Sequence, residues 1–126
     1  TAAILAGRTI EVYDEAGMSR DFTYIDDIVE GVGRLVPLPP PPGLTGSPHR
    51  ILNIGNSRPE RLTDFIAAIE AACGKPAIKR HMPRQPGEVA ATYADISKLQ
   101  ALTGFEPRTT ILDGALKFAQ WYKSRQ

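Results

Sequence analysis

Residues 51–74, ILNIGNSRPERLTDFIAAIEAACG, hold one strand-to-helix unit and decide the fold class of the chain. The apolar run at 51–55 ends in glycine, which predicts a short buried strand. Apolar side chains then recur at helical spacing until Gly74, a common helix stop; they are Leu62, Phe65, Ile66, Ile69 and Cys73. This stripe predicts an amphipathic helix and places the single cysteine in the core.

The start of this helix has two interpretations. Ser57 and Glu60 have the spacing of a capping box, in which each side chain bonds the other residue's backbone amide. Pro59 and Glu60 could equally form the first helical turn. Both interpretations leave the helix ending at Gly74.

Two more short strands and a helix are predicted before this unit. The strands cover Ile10–Tyr13 and Asp21–Ile25. Asp26 suits the N-cap position because its carboxylate can accept the free amide hydrogens of the next turn, whereas Asp27 is expected to be exposed. The helix then continues at helical spacing and ends before Pro37; its apolar residues are Ile28, Val29, Val32, Leu35 and Val36.

A strand over Ala77–Met82 and two capped helices are predicted after the central unit. Asp95 caps the first of these helices, which Gly104 closes, and Thr110 with Asp113 caps the second. The apolar residues of the two helices are Ile96, Leu99 and Leu102, then Leu112, Ala115, Ala119 and Tyr122. Short strands that alternate with about four helices predict an α/β fold built on a small sheet.

Two segments differ from the rest of the chain. Residues 1–7, TAAILAG, start without methionine or a signal peptide and resemble the tail of a helix stopped by Gly7, which favours a piece of a longer chain. Residues 37–50 contain six of the eleven prolines and therefore predict a surface loop. Docking of this Pro-rich loop into an aromatic groove is the alternative to a plain connector.

Composition argues against several functional classes. The 126 residues carry a formal net charge of +1 without a basic stripe, so nucleic-acid binding is not expected. No apolar run approaches the length that crosses a membrane. One cysteine cannot form an internal disulfide, which fits a reducing cytoplasm.

The sequence lacks the patterns that would carry catalysis or hold a cofactor. No glycine-rich fingerprint follows a strand, so no dinucleotide cradle is expected. His49 and His81 are isolated, and no cluster of His, Cys, Asp or Glu has metal-ligand spacing. Tyr93 is followed four residues later by Ser97, so it is not part of a Tyr-x-x-x-Lys acid–base pair. Catalytic, cofactor and metal residues are therefore not expected in this chain.

Three stretches occur in an informative order. They are IEVYD (10–14) with MSRDFTYIDDI (18–28), then LNIGN (52–56) with Leu62 and Phe65, then QPGEV (85–89) with TYAD (92–95), Lys98, Leu99 and GFEP (104–107). Together they resemble the C-terminal portion of the extended short-chain dehydrogenase/reductase family, in its NAD-dependent nucleotide-sugar epimerase and dehydratase branch. Within this branch, RDFTYIDDIVEG (20–31) and Gln85 are most similar to UDP-glucuronate 4-epimerases, although Glu88 replaces the more common Asp. The resemblance implies the substrate-binding domain of such an enzyme without its Rossmann domain.

The resemblance implies a substrate-binding role for four residues, each with a plainer alternative. Arg20 would bind the pyrophosphate of a UDP-sugar through a fork of charge-assisted hydrogen bonds, or else form a surface pair with Asp21 or a nearby carboxylate. Tyr13 would pack against uracil, or else be an inward-facing strand residue. Glu88 would accept hydrogen bonds from the ribose and Gln85 would contact the diphosphate, or else both would be solvated loop residues.

For the whole enzyme, the resemblance implies transient oxidation at the sugar C4. Bound NAD would take a hydride while an upstream Tyr removes the hydroxyl proton, and the hydride would return to the other face of the rotated 4-keto sugar. Residues 1–126 would hold the UDP part meanwhile. Alone, the chain is expected to be inactive, to bind UDP weakly and NAD not at all, and to expose an apolar docking face.

Two further expectations follow for the whole enzyme, a cytoplasmic location and a homodimer formed through the missing domain. Two alternatives remain open. The first is the corresponding half of a nucleotide-sugar dehydratase, decarboxylase or reductase. The second is a non-catalytic nucleotide-binding module.

Overall fold

The computed structural model describes residues 1–13, 17–42, 46–83 and 85–126. The helices in these ranges are α1 (Ala2–Leu5), α2 (Ile25–Leu35), α3 (Leu62–Cys73), α4 (Ser97–Thr103) and α5 (Ile111–Ser124). The strands are β1 (Thr9–Val12), β2 (Ser19–Asp21), β3 (Pro59–Arg61) and β4 (Ile78–His81). The predicted α/β class is confirmed.

The short strands of the described ranges lie in two separate pairs. β1 and β4 run parallel, with Thr9 opposite Ile78. β2 and β3 run antiparallel, with Arg20 opposite Glu60. Residues 90–92 lie along the other side of β2 and continue this second sheet through an isolated parallel bridge. β2 is therefore flanked on both sides, which fixes the backbone at Arg20.

The prediction of a buried strand at 51–55 is wrong. In the described part of the chain this run pairs with no other strand, and Ile51 is 83% exposed. Leu52 and Ile54 nevertheless pack against the core cluster of Ile96, Leu99 and Phe105. The run is apolar enough for a strand, but a strand needs a neighbour to satisfy its backbone groups.

Both interpretations of the start of α3 are also wrong. Pro59–Arg61 forms β3, because these residues pair with β2, and the helix begins only at Leu62. The predicted end is confirmed, since Gly74 adopts a left-handed conformation with φ of 70° at the C-cap. Cys73 is buried, as predicted.

The two adjacent carboxylates at the start of α2 have the opposite roles to those predicted. The helix begins at Ile25, one residue before the predicted cap, so Asp26 lies inside its first turn. Asp26 is exposed and pairs with Lys117 Nζ at 3.1 Å. Asp27 is only 5% exposed and accepts hydrogen bonds from the backbone amides of Arg108 and Thr109. Neighbouring positions of a helix lie about 100° apart, and the buried face of α2 contains Asp27 and Gly31, so Asp26 falls outside it.

The Thr110 cap of α5 is confirmed, whereas the N-cap of α4 is Ile96, one residue after the predicted Asp95. Asp95 Oδ1 accepts the Ser97 amide at 3.0 Å, and Gly104 closes α4 with φ of 64°. Thr110 Oγ1 accepts the Asp113 amide at 3.1 Å. On α5, Ala115 and Ala119 are buried as predicted, whereas Leu112 is 62% exposed because the buried face follows positions 111, 115 and 119.

Apolar side chains along one stripe of α2 are exposed, and the Pro-rich segment is irregular. The stripe consists of Ile25, Val29, Val32 and Val36, each more than half exposed. Residues 37–42 and 46–50 form no helix or strand, as predicted for the loop, and residues 43–45 of that prediction lie outside the described residues. No helix among the described residues has the length and apolar character needed to cross a membrane.

Candidate functional site

Arg20 lies in the middle of β2, and its side chain contacts the neighbouring segment at Ala90. Its Nη1 donates to the carbonyl of Ser19 at 2.8 Å and to the carbonyl of Ala90 at 3.3 Å. Among the described residues no carboxylate lies within ion-pair distance of its guanidinium group. The side chain is half-buried, and the backbone carbonyls hold one end of the guanidinium, whereas Nη2 and Nε donate to no group among the residues that the structure describes.

Asp21 forms no ion pair with Arg20, so the surface pair between these two residues, the alternative to pyrophosphate binding, is not observed. Its Oδ1 accepts the Asn56 amide at 2.9 Å, and its Oδ2 accepts the amides of Ser57 at 3.1 Å and Ala94 at 2.9 Å. Successive side chains of a strand point to opposite faces, which separates the two charged groups. The sequence did not predict this role, because the donating amides lie 35, 36 and 73 residues away along the chain.

Tyr13 follows β1 directly, and its ring is half-buried. Its hydroxyl donates to Glu11 Oε2 at 2.7 Å. This bond to a carboxylate raises the pKa of Tyr13, while a hydrogen bond from the Gln85 side chain acts weakly in the opposite direction. Glu11 also pairs with Arg80 on β4, and its own pKa is lowered first by Tyr13 and then by Arg80. Tyr13 therefore stands in a polar cluster with one predicted site residue, Gln85.

Gln85 and Glu88 form the two ends of one tight turn. The Glu88 amide donates to the Gln85 carbonyl at 3.3 Å, and the Gln85 amide donates to Glu88 Oε2 at 3.3 Å. Gly87 adopts φ of 89°, a backbone conformation that side-chain-bearing residues rarely accept. Glu88 is half-buried and has a further interaction, so it is more than a solvated loop residue. Arg84, next to this turn, lies outside the described residues.

The four predicted site residues lie along one connected path. Gln85 lies close enough to Tyr13 to lower its pKa slightly, Gln85 and Glu88 share a turn, and Ala90, two residues further on, accepts a hydrogen bond from Arg20. This path joins a cation, an aromatic ring, an amide and a carboxylate. The arrangement can offer charge-assisted hydrogen bonds to an anion and an acceptor to hydroxyl groups.

Other candidate features do not join this path. An apolar groove of about 330 Å³ lies between α3 and α5 and includes Phe22, Phe65 and Phe118 in its wall. None of its lining side chains is charged, so the groove has no side-chain cation to pair with a phosphate. His49 and His81 are exposed, and the described residues include no group of acidic, His or Cys side chains that could hold a metal ion.

Comparison with known proteins gives clear relatives. No established protein-family model matches the chain. The chain is 45% identical to protein CapI of Staphylococcus aureus, covering 97% of this chain and 40% of that protein. It is 42% identical to a probable UDP-glucuronate 4-epimerase of Rhizobium meliloti, covering 95% of this chain and 39% of that protein. A crystal structure of UDP-glucuronic acid 4-epimerase from Bacillus cereus, in complex with UDP-glucuronic acid and NAD, matches with a TM-score of 0.80 and 27% identity, covering 98% of this chain and 38% of that one.

The predicted resemblance is confirmed by these relatives. Several of the relatives are named UDP-glucuronate 4-epimerases, and the solved structures that match include a UDP-glucuronic acid 4-epimerase and a UDP-glucose 4-epimerase. The chain matches the C-terminal portion of these structures and spans about two-fifths of the length of the curated relatives. The similarity extends over nearly the whole chain and therefore includes the path from Tyr13 to Arg20.

Proposed function

We propose that this chain supplies the UDP-binding part of an NAD-dependent UDP-sugar 4-epimerase, with UDP-glucuronate as the favoured substrate. The observation that carries the proposal is the position of Arg20 beside the segment that bears Gln85 and Glu88, where its Nη1 donates to the Ala90 carbonyl. The probable UDP-glucuronate 4-epimerase of Rhizobium meliloti, similar to 95% of this chain, supports the choice of substrate.

Each residue of the path has a separate task in this proposal. Arg20 donates charge-assisted hydrogen bonds to the pyrophosphate, and its two carbonyl contacts hold it in place before the ligand arrives. Tyr13 presents a flat ring to uracil. Glu88 accepts hydrogen bonds from ribose hydroxyls, and Gln85 donates to the diphosphate. The nucleotide is thereby anchored while the sugar moves, so binding energy from a non-reacting group serves positioning.

The chemical step belongs to residues outside this chain. No glycine-rich dinucleotide cradle occurs in the 126 residues, so they do not fit NAD. We assign residues 1–126, including the Pro-rich loop at 37–50, to one nucleotide-sugar-binding domain at the C-terminal side of the whole enzyme. Dimerisation of the whole enzyme is assigned to the portion that lies beyond these residues.

An activity assay tests the proposed function. The full-length protein that carries this chain should interconvert UDP-glucuronate and UDP-galacturonate in the presence of NAD. UDP-glucose serves as the second substrate, because it differs from UDP-glucuronate only at C6. Faster turnover of UDP-glucuronate supports the proposal, preferential turnover of UDP-glucose corrects the sugar, and no 4-epimerisation of either sugar contradicts the function.

A further inference from the structure

We propose that Asp21 is a positioning residue for the UDP site, a role that rests on the proposed function. Arg20 and Asp21 are adjacent on β2, and their side chains leave opposite faces of the strand. Arg20 reaches the carbonyl of Ala90, while Asp21 accepts the amide of Ala94, later in the same segment, and amides from the loop before β3. One short strand therefore connects the cationic side chain to the backbone that follows Gln85 and Glu88.

The Asp21 carboxylate joins two segments that are distant in sequence. Asn56 and Ser57 come from the loop before β3, and Ala94 comes from the loop before α4. A carboxylate that accepts backbone amides makes hydrogen bonds roughly twice as strong as neutral ones. Three such bonds on two oxygen atoms hold both loops against β2.

The loop before β3 is shaped closely around this carboxylate. Ser57 adopts φ of 54°, a conformation that a non-glycine residue keeps only when its surroundings enforce it. Its hydroxyl donates to the Ala94 carbonyl at 2.6 Å, which forms a second link between the same two loops. A Cβ atom at Gly55 would lie 3.0 Å from Asp21 Oδ2 and 2.4 Å from Ala94 Cβ. The close packing leaves the carboxylate no room to move.

The segment at 85–94 is hydrogen-bonded to β2 towards its far end. The Ser19 amide donates to the Ala90 carbonyl, and the Thr92 hydroxyl accepts the Asp21 amide at 3.0 Å. The Asp21 carboxylate then fixes the end of the segment at Ala94. Release of that end changes where the turn at 85–88 stands relative to Arg20. Since one ligand must contact both, the loss of this alignment weakens nucleotide binding.

A pair of matched variants in the full-length protein tests this role. Asp21→Asn keeps the size of the side chain but turns an NH₂ group towards an amide donor. Asp27→Asn is the control, because Asp27 also accepts two backbone amides, from Arg108 and Thr109, and both lie in the loop before α5. UDP and NAD are titrated into each protein well below its melting temperature. We expect Asp21→Asn to bind UDP about tenfold more weakly and Asp27→Asn to stay within about twofold of the wild type, with NAD affinity unchanged in both.

Unchanged UDP affinity in Asp21→Asn, or an equal loss in both variants, overturns the positioning role. If Asp21→Asn does not fold, Ser57→Gly decides, since it removes the hydroxyl link to Ala94 and tolerates positive φ. Weaker UDP binding in Ser57→Gly supports the role, and wild-type affinity overturns it. A wild-type protein that binds NAD but no UDP instead contradicts the proposed function itself.

Discussion

Replacement of Asp27 by asparagine should destabilise the fold far more than the same change at its neighbour Asp26. Asp27 is 5% exposed, and its two oxygens accept the amides of Arg108 at 3.3 Å and Thr109 at 3.0 Å. Asparagine offers one oxygen, so one of these bonds is lost and one amide faces an NH₂ group. A hydrogen bond to a charged group contributes about 1.5–3 kcal/mol, and a buried donor left without an acceptor costs a similar amount. The two amounts describe largely the same loss of free energy and are therefore not added. We expect a loss of about 2–3 kcal/mol.

Asp26 provides the matched control for this prediction. It is exposed and pairs with Lys117 Nζ at 3.1 Å, and an exposed pair contributes about 0.2–1 kcal/mol. Urea denaturation of the wild type and both variants gives the free energies of unfolding, provided that the denaturant slopes agree. Equal losses at the two positions, or a larger loss at Asp26, would refute the role of Asp27 as a clamp between α2 and the loop before α5.

Two further changes test packing and charge. A methyl group at Gly55 would lie 2.4 Å from the Cβ atom of Ala94, which cannot rotate away, so Gly55→Ala should cost about 1–3 kcal/mol; an unchanged melting temperature would count against this packing. The pKa of Glu70 is lowered below its ordinary value, first by a hydrogen bond from the Ala77 amide and then by Lys79. The ionised Glu70 carboxylate therefore stabilises the fold at pH values above its pKa in the unfolded state, and this stabilisation is lost as the pH falls through its pKa in the folded state. Between about pH 6 and about pH 3 the wild type should therefore lose more stability than Glu70→Gln, and parallel pH profiles would contradict this.

Elements whose boundaries depend on nearby residues could be predicted from the sequence. Gly74 and Gly104 end α3 and α4 because each adopts a left-handed conformation at the C-cap. Thr110 caps α5 through an amide only three residues away. Such signals lie within one helical turn, so a sequence pattern contains all of the interacting groups.

Elements that depend on distant partners could not be predicted. Residues 59–61 carry proline and charge, yet they form β3 because β2 supplies a partner about forty residues away. The amides that Asp21 accepts are 35, 36 and 73 residues away, so no local pattern indicates its role. In the candidate site, the family resemblance indicated Arg20, Tyr13 and the residues of the turn at 85–88. The role of the Asp21 carboxylate became visible only in the three-dimensional structure.

The proposed function depends most on Arg20, which is proposed to bind the pyrophosphate of a UDP-sugar. Calorimetric titration of UDP and uridine into the full-length protein, Arg20→Ala and Arg125→Ala tests it most directly, since Arg125 is an exposed cation at the end of α5. If Arg20 binds the pyrophosphate, Arg20→Ala should weaken UDP binding at least tenfold, which corresponds to ~1.4 kcal/mol. Uridine, which lacks phosphates, should bind all three proteins alike, and Arg125→Ala should bind UDP as the wild type does. Equal UDP affinity in the wild type and Arg20→Ala would show that Arg20 does not bind the pyrophosphate.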